Sequence, residues 1–227
     1  MSITTLRNSR GFSLIELLVA TTTMVVVLGA AVALTSQVQN GYRRQLEDSA
    51  AEQEGRYAID WITRHLRGAG NDPHGKAAIA PGTTDCPAAN TPIAAIQFDP
   101  DADGADDDVR LMTDANPADG LFGGEPVNGC IQANEDITIS HDDVNNSITF
   151  LDNNTGGALT TRTDTVIENL NFVFRDSAYA VLDSAVANPA NVVWVETQMR
   201  IRTRTIDATS GQPLTRLLTS EVRVRSR

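Results

Sequence analysis

Lysine is what this chain has least of. Lys76 is its single lysine, and 18 basic residues against 29 acidic ones leave a formal net charge of -11 over 227 residues. So anionic a surface is a poor collector of phosphates, which argues against nucleic acid as a partner. Cysteine is scarce too. Cys86 and Cys130 are too few for a disulfide scaffold or a four-thiolate zinc site. The three histidines, His65, His74 and His141, share no zinc-ligand spacing. A nucleophile motif and a phosphate-binding glycine loop are both missing, so no catalytic constellation emerges and the chain reads as a non-enzyme that requires no cofactor. Proline is missing before Pro73, acid before Glu16, and charge of either sign from Leu17 to Tyr42.

The last gap is the most informative. Leu17 to Leu34 is almost wholly apolar. With Phe12 to Ile15 it makes about 34 Å of helix at 1.5 Å per residue, enough to cross a hydrocarbon core. Thr21, Thr22 and Thr23 can return their hydroxyls to carbonyls of the preceding turn, so lipid tolerates them. Arg7 and Arg10 precede the run. Positive charge stays cytoplasmic, which places the N-terminus inside and everything beyond Leu34 outside. Outside a bacterial inner membrane lies an oxidising periplasm, so Cys86 and Cys130 are expected to pair. Closing so long a loop stabilises by roughly 4 kcal/mol on the chain-entropy view. A secretory signal peptide is the rival reading, with Ala31-Val32-Ala33 as its small-residue cleavage site. Glu16 argues against it, because a carboxylate at membrane depth is costly and normally has a partner.

Arg10-Gly11-Phe12-Ser13-Leu14-Ile15-Glu16-Leu17-Leu18-Val19-Ala20 resembles the class III signal of type IV pilins and type II secretion pseudopilins. The resemblance implies that prepilin peptidase cuts between Gly11 and Phe12 and that the new Phe12 amine is N-methylated. The chemistry is consistent with it. Gly11 has no side chain to hold a protease off the backbone. Glu16 lies one helical turn beyond Phe12 and, in a stack of such helices, can pair with the Phe12 amine of a neighbour. That pairing would set axial register as much as it stabilises, since either charge alone in lipid is costly.

Past the membrane the helix is expected to continue. Val38, Tyr42, Leu46, Ala50, Ala58, Ile62 and Leu66 fall at helical spacing, with Ile59 and Trp61 widening the stripe. Arg64 and Arg67 suit a helix C-terminus, and Gly68 and Gly70 are the natural stop. A helix from Phe12 to Arg67 would run about 84 Å, with Gly29, Gly41 and Gly55 as its weak points. Glu52 to Gly70, with its Arg56-Tyr57-Ala58 and Leu66-Arg67-Gly68-Ala69-Gly70, is similar to the helix end of PilW-type minor pilins and of J-type minor pseudopilins.

After Gly70 the composition turns to strand and loop. Strands are expected at Ile93 to Phe98, Val109 to Thr113, Asp136 to Ser140, Ser147 to Leu151, Thr165 to Arg175, Val192 to Ile206 and Thr215 to Val224. A long helix followed only by strands argues for an α+β fold with a mainly antiparallel sheet, the pilin lollipop. The expected organisation is a cleaved leader over 1–11, a transmembrane half-helix over 12–36, an amphipathic half-helix over 37–70 and a periplasmic β-rich head over 71–227.

Charge inside the head is uneven. From Asp85 to Asp152 the chain is overwhelmingly acidic, and Arg110 is its one basic residue. The densest stretch holds Asp99, Asp101, Asp103, Asp106, Asp107 and Asp108, with Gly104 for a sharp bend. Asp99, Asp101, Asp103 and Gly104 match the opening of a calcium loop, but Arg110 stands where the bidentate Glu belongs, so it is no EF-hand. A solvated acidic turn and a weak calcium site both fit. Near the C-terminus Arg200, Arg202 and Arg204 alternate with Met199, Ile201 and Thr203, and Arg223, Arg225 and Arg227 alternate likewise. Either a solvent face or a surface for another subunit explains them.

The resemblances together imply a minor pilin that helps initiate, assemble or cap a type IV pilus. Its implied partners are prepilin peptidase, the assembly platform, the inner membrane and other major and minor pilins met through the N-terminal helix. A J-type pseudopilin of type II secretion is the near alternative. A membrane-anchored or secreted periplasmic binding protein that never assembles is the distant one.

Overall fold

The computed structural model describes residues 13–71, 95–113, 134–153, 159–183, 188–206 and 210–224, with the side chains of 204 and 205 excepted. Helix α1, Leu14–Gly68, is the longest element. No proline interrupts it, and its start carries the spacing of a capping box: Ser13 precedes the first turn and its N–H donates to Glu16 Oε2 at 3.0 Å. Its end is set by Gly70, whose φ of 74° an L side chain would resist. The Gly70 N–H then donates to the Met112 carbonyl at 2.8 Å, fastening the chain to the sheet.

The chain divides into two compact units, Met1–Leu46 and Glu47–Arg227. In the first, every described residue of α1 is exposed, including Leu17, Val26 and Leu34. The expected threonine bonds are present: Thr21 and Thr22 donate to Leu18 and Thr23 to Val19, at 2.9–3.0 Å. From Leu17 to Leu34 the helix satisfies its own polar groups and presents an almost wholly apolar surface, the requirement for a lipid-facing segment.

The second unit joins the rest of α1 to two antiparallel sheets. Strands β1 (Ile96–Phe98), β2 (Asp108–Met112), β3 (Asp136–Asp142), β4 (Ser147–Asp152) and β5 (Thr160–Thr161) form a five-stranded sheet in sequence order. Strands β6 (Ile167–Arg175), β7 (Trp194–Ile206) and β8 (Pro213–Arg223) form a three-stranded one. This is the α+β layout expected, with the sheet divided in two. The short β5 has too few residues to show a period. The seven expected strands are present; their ends at Phe98, Asp136, Ser147, Arg175 and Ile206 coincide with expectation, the other described ends shift by one or two residues, and Ile93 lies outside the described residues.

A single apolar cluster fills the head, uniting Ile62 and Leu66 of α1 with Ile139, Ile148, Phe172 and Met199. Within β6, Ile167 and Leu170 are both buried although three residues apart. A register shift between Ile167 and Asn169 makes that compatible with alternation, because a bulge inserts one unpaired residue. Along β7, Met199, Ile201 and Thr203 are buried while Arg200 is exposed and Arg202 half-buried, so the arginines take the solvent side. Arg223 of β8 is exposed as well; Arg225 and Arg227 lie outside the described residues.

The helix stripe differs in detail from expectation. Ala51 and Gly55, not Ala50, carry its upper part, followed by Ala58, Ile59, Ile62 and Leu66. The reason is Gly55. A Cβ there would stand 2.7 Å from Ile201 Cγ2 and 2.9 Å from Leu218 Cδ1. Far from being a weak point, the glycine lets the helix approach Ile201 and Leu218 of the three-stranded sheet closely, and that approach puts Gly55 on the buried face. Thr63 and the Ser220 hydroxyl share a hydrogen bond at 2.9 Å, and Glu52 binds both Arg56 and Arg216, at 2.7 and 2.6 Å. His65 is buried with its Nδ1–H donating to the Trp61 carbonyl at 2.9 Å. Burial, with help from Arg162 and Arg64, pushes its pKa down to about 4, so the imidazole is neutral at pH 7 and packs as an aromatic against Trp61 and Phe150.

Candidate functional site

Among the described residues three groups carry chemistry, one at the start of α1 and two beside β2. The first is the start of α1. Gly11 and Phe12 lie outside the described residues; Glu16, four residues beyond Phe12, is exposed. Its carboxylate is held at the N-terminal end of the helix by the Ser13 N–H. A negative group there complements the positive end of the helix dipole. Cys86 and Cys130 also lie outside the described residues.

The second group is the β1–β2 loop. β1 ends at Phe98 and the chain reverses through Asp99, Ala102 and Gly104, all at positive φ (39°, 62° and 86°). The reversal is held by aspartates. Asp99 accepts the Asp103 N–H through Oδ1 and the Gly104 N–H through Oδ2, each at 3.0 Å. Asp101 accepts the Asp103 N–H at 3.2 Å, and Asp103 turns its own Oδ1 to the Ala105 N–H at 2.8 Å. The carbonyl of Asp106 accepts the Phe172 N–H at 2.7 Å, which anchors the loop to β6.

Of the six aspartates, the fold gathers three. One carboxylate oxygen each from Asp99, Asp101 and Asp108 lies within 4.8 Å of the others. Asp101 is exposed and Asp99 half-buried, whereas Asp108, the first residue of β2, is 2 % exposed and its Oδ1 has no hydrogen-bond partner. Burial first, and then the charges of Asp101, Asp107 and Asp99, push the Asp108 carboxyl up to about 7. Asp103 is occupied by its turn. The one arginine of the region is committed elsewhere: Arg110 forks onto Asp136, Nε to Oδ1 at 2.7 Å and Nη2 to Oδ2 at 2.5 Å.

Asp107 belongs to a different set. It faces His141 and Asp143, all three ligand atoms within 4.8 Å. The His141 side chain is 1 % exposed, its Nε2–H donates to the Ile167 carbonyl at 3.0 Å, and its Nδ1 stands 2.9 Å from Asp143 Oδ1 but off the hydrogen-bond direction. Burial and the charges of Asp103 and Asp143 raise the Asp107 pKa. This grouping was not expected. The run His141-Asp142-Asp143 was visible, but its nearness to Asp107 depends on β2–β3 pairing, in which Asp108 lies opposite Ser140. Asp142, between them, spends its carboxylate on the N–H groups of Val144 and Asn145.

Against known families, residues 6–34 match the prokaryotic N-terminal methylation motif. No curated protein and no solved structure matches the chain. The motif covers the basic leader, Gly11, Phe12, Glu16 and the exposed apolar helix, and it implies processing by prepilin peptidase, membrane anchoring and assembly with other pilins. That motif, leading into one long helix packed on antiparallel sheets, supports a type IV pilin-like protein and points to a structural role.

Proposed function

We propose that the chain is a minor pilin, a subunit that helps initiate, assemble or cap a type IV pilus. In this reading prepilin peptidase cuts between Gly11 and Phe12, the Phe12 amine is methylated, and the apolar half of α1 holds the chain in the inner membrane with its head in the periplasm. The assembly platform then draws the helix into a fibre beside those of other subunits, where Glu16 pairs with a neighbour's Phe12 amine. The observation that carries the reading is the methylation motif over residues 6–34, placed on a helix whose apolar side chains from Leu14 to Leu34 are exposed. Helices of that kind gain by packing on one another. The similarity of Glu52 to Gly70 to PilW-type minor pilins supports the minor rank.

Deleting the chain from its native cell tests this. The number of surface fibres should fall severalfold and recover with the intact chain but not with Glu16→Ala. If fibres persist unchanged while secretion of folded periplasmic proteins fails, the J-type pseudopilin reading replaces it. If neither changes, the chain is an unassembled periplasmic protein.

We further propose that Cys86 and Cys130 form a disulfide in the periplasm. Alkylation of the folded, unreduced protein should then label neither. Labelling of both without reductant contradicts it.

A further inference from the structure

We propose that Asp99, Asp101 and Asp108 form a calcium site in the head, with a ligand set drawn from both ends of the β1–β2 loop. Three observations support it. The three carboxylates converge to within 4.8 Å. Asp108, the first residue of β2, is 98 % buried, and its Oδ1 makes no hydrogen bond. Arg110, the only basic residue from Asp85 to Asp152, is held by Asp136 and neutralises nothing here. Three like charges around a buried, unpartnered oxygen are stable only if one is protonated or a cation lies between them.

The chemistry of the donors selects the cation. All three are carboxylate oxygens, which suit a hard divalent ion and not the nitrogen and sulfur preferences of zinc or copper. Asp101 is exposed, so an ion can enter and keep water on that side. Calcium takes 6–8 oxygens in flexible geometry and accepts a mixture of mono- and bidentate carboxylates with water. Magnesium demands a near-octahedral shell and parts with water reluctantly. The ligand set also corrects the sequence pattern. Asp103, at position 5 of a calcium-loop count, lies outside the converging group, and the buried Asp108 at the start of β2 stands in its place.

The site lies in the unit Glu47–Arg227 and does not depend on whether the chain assembles into a fibre. Calcium binding to the full chain in detergent micelles, followed by isothermal titration with calcium chloride, tests it. One ion per chain is expected, with a Kd on the order of 10⁻⁴ M, in the range of extracellular modules. At 5 mM calcium, an excess of about fifty Kd, the melting temperature should rise by about 5 °C, and 5 mM magnesium should give less than half of that. Asp108→Asn should lose the titration signal and the rise together while melting no lower than wild type without calcium, because it keeps the shape and removes a buried charge. Asp99→Asn with Asp101→Asn should lose binding too. His141→Gln should keep it, since that residue belongs to the neighbouring cluster. The proposal is overturned if wild type gives no titration signal, if Asp108→Asn binds as wild type does, if magnesium stabilises as well as calcium, or if His141→Gln abolishes binding.

Discussion

Replacing Gly11 by leucine leaves the chain as a full-length precursor in the inner membrane. A peptidase must lay its own groups along the scissile backbone, and a glycine on the leader side of the bond presents no Cβ to obstruct that approach. A branched side chain at that point keeps the bond out of reach whatever the rest of the leader does. Because cleavage is all-or-none for each chain, the expected effect is near-complete loss of the mature band on immunoblots of membranes from cells with an active prepilin peptidase. Gly11→Ala should accumulate some precursor, and Glu16→Ala should still be cut. Normal processing of Gly11→Leu would mean that Gly11 is not part of a recognised signal.

Arg110→Met should cost the head about 2–3 kcal/mol, less than the roughly 3–5 kcal/mol of a fully buried pair, because the Arg110 side chain is 29 % exposed and Asp136 keeps its bond from Asn153. Asp136 is 4 % exposed and takes both arms of the Arg110 fork, with one further bond from Asn153 Nδ2 at 3.0 Å. The pair raises the Arg110 pKa, chiefly through the hydrogen bond to Asp136. Methionine keeps much of the stem's volume, so packing changes little and the loss reports the stranded carboxylate. Denaturant unfolding of the full chain in mild detergent, read by tryptophan fluorescence, isolates the effect, since both tryptophans, Trp61 and Trp194, lie in the unit Glu47–Arg227. The double change Arg110→Met with Asp136→Leu should recover most of the loss, because a buried pair replaced by apolar groups is close to neutral. A single variant within 0.5 kcal/mol of wild type would show that water reaches Asp136 and that the pair is a surface one in effect.

What the sequence makes legible follows the range of the interaction involved. The start of α1, its uninterrupted run and its stop near Gly68 and Gly70 rest on local chemistry: absent proline, apolar continuity and glycine at positive φ. Most strands were readable because alternation of buried and exposed residues is also local, as at Met199 and Ile201. The division into two sheets was not, since nothing within β5 or β6 states which strand lies alongside. The one-residue difference at the upper end of the helix stripe, Ala51 for Ala50, has the same origin. Gly55 looks like a flaw until Ile201, far along the chain, is brought against it. At the acidic loop, the composition predicted crowded carboxylates, but their sorting into Asp99, Asp101 and Asp108 on one side and Asp107, His141 and Asp143 on the other comes from the direction each side chain takes where β2 begins and from the register of β2 on β3.

The central claim is that residues 6–34 are a working prepilin signal on this chain. Mass spectrometry of the mature protein's N-terminal peptide, taken from cells with an active prepilin peptidase, tests it most directly. The result expected is a chain that begins at Phe12 and carries one methyl group on its amine. A mature terminus at Leu34, after Ala31-Val32-Ala33, would contradict it and make the segment a secretory signal peptide; an intact Met1 terminus on the folded, exported chain would contradict it as well.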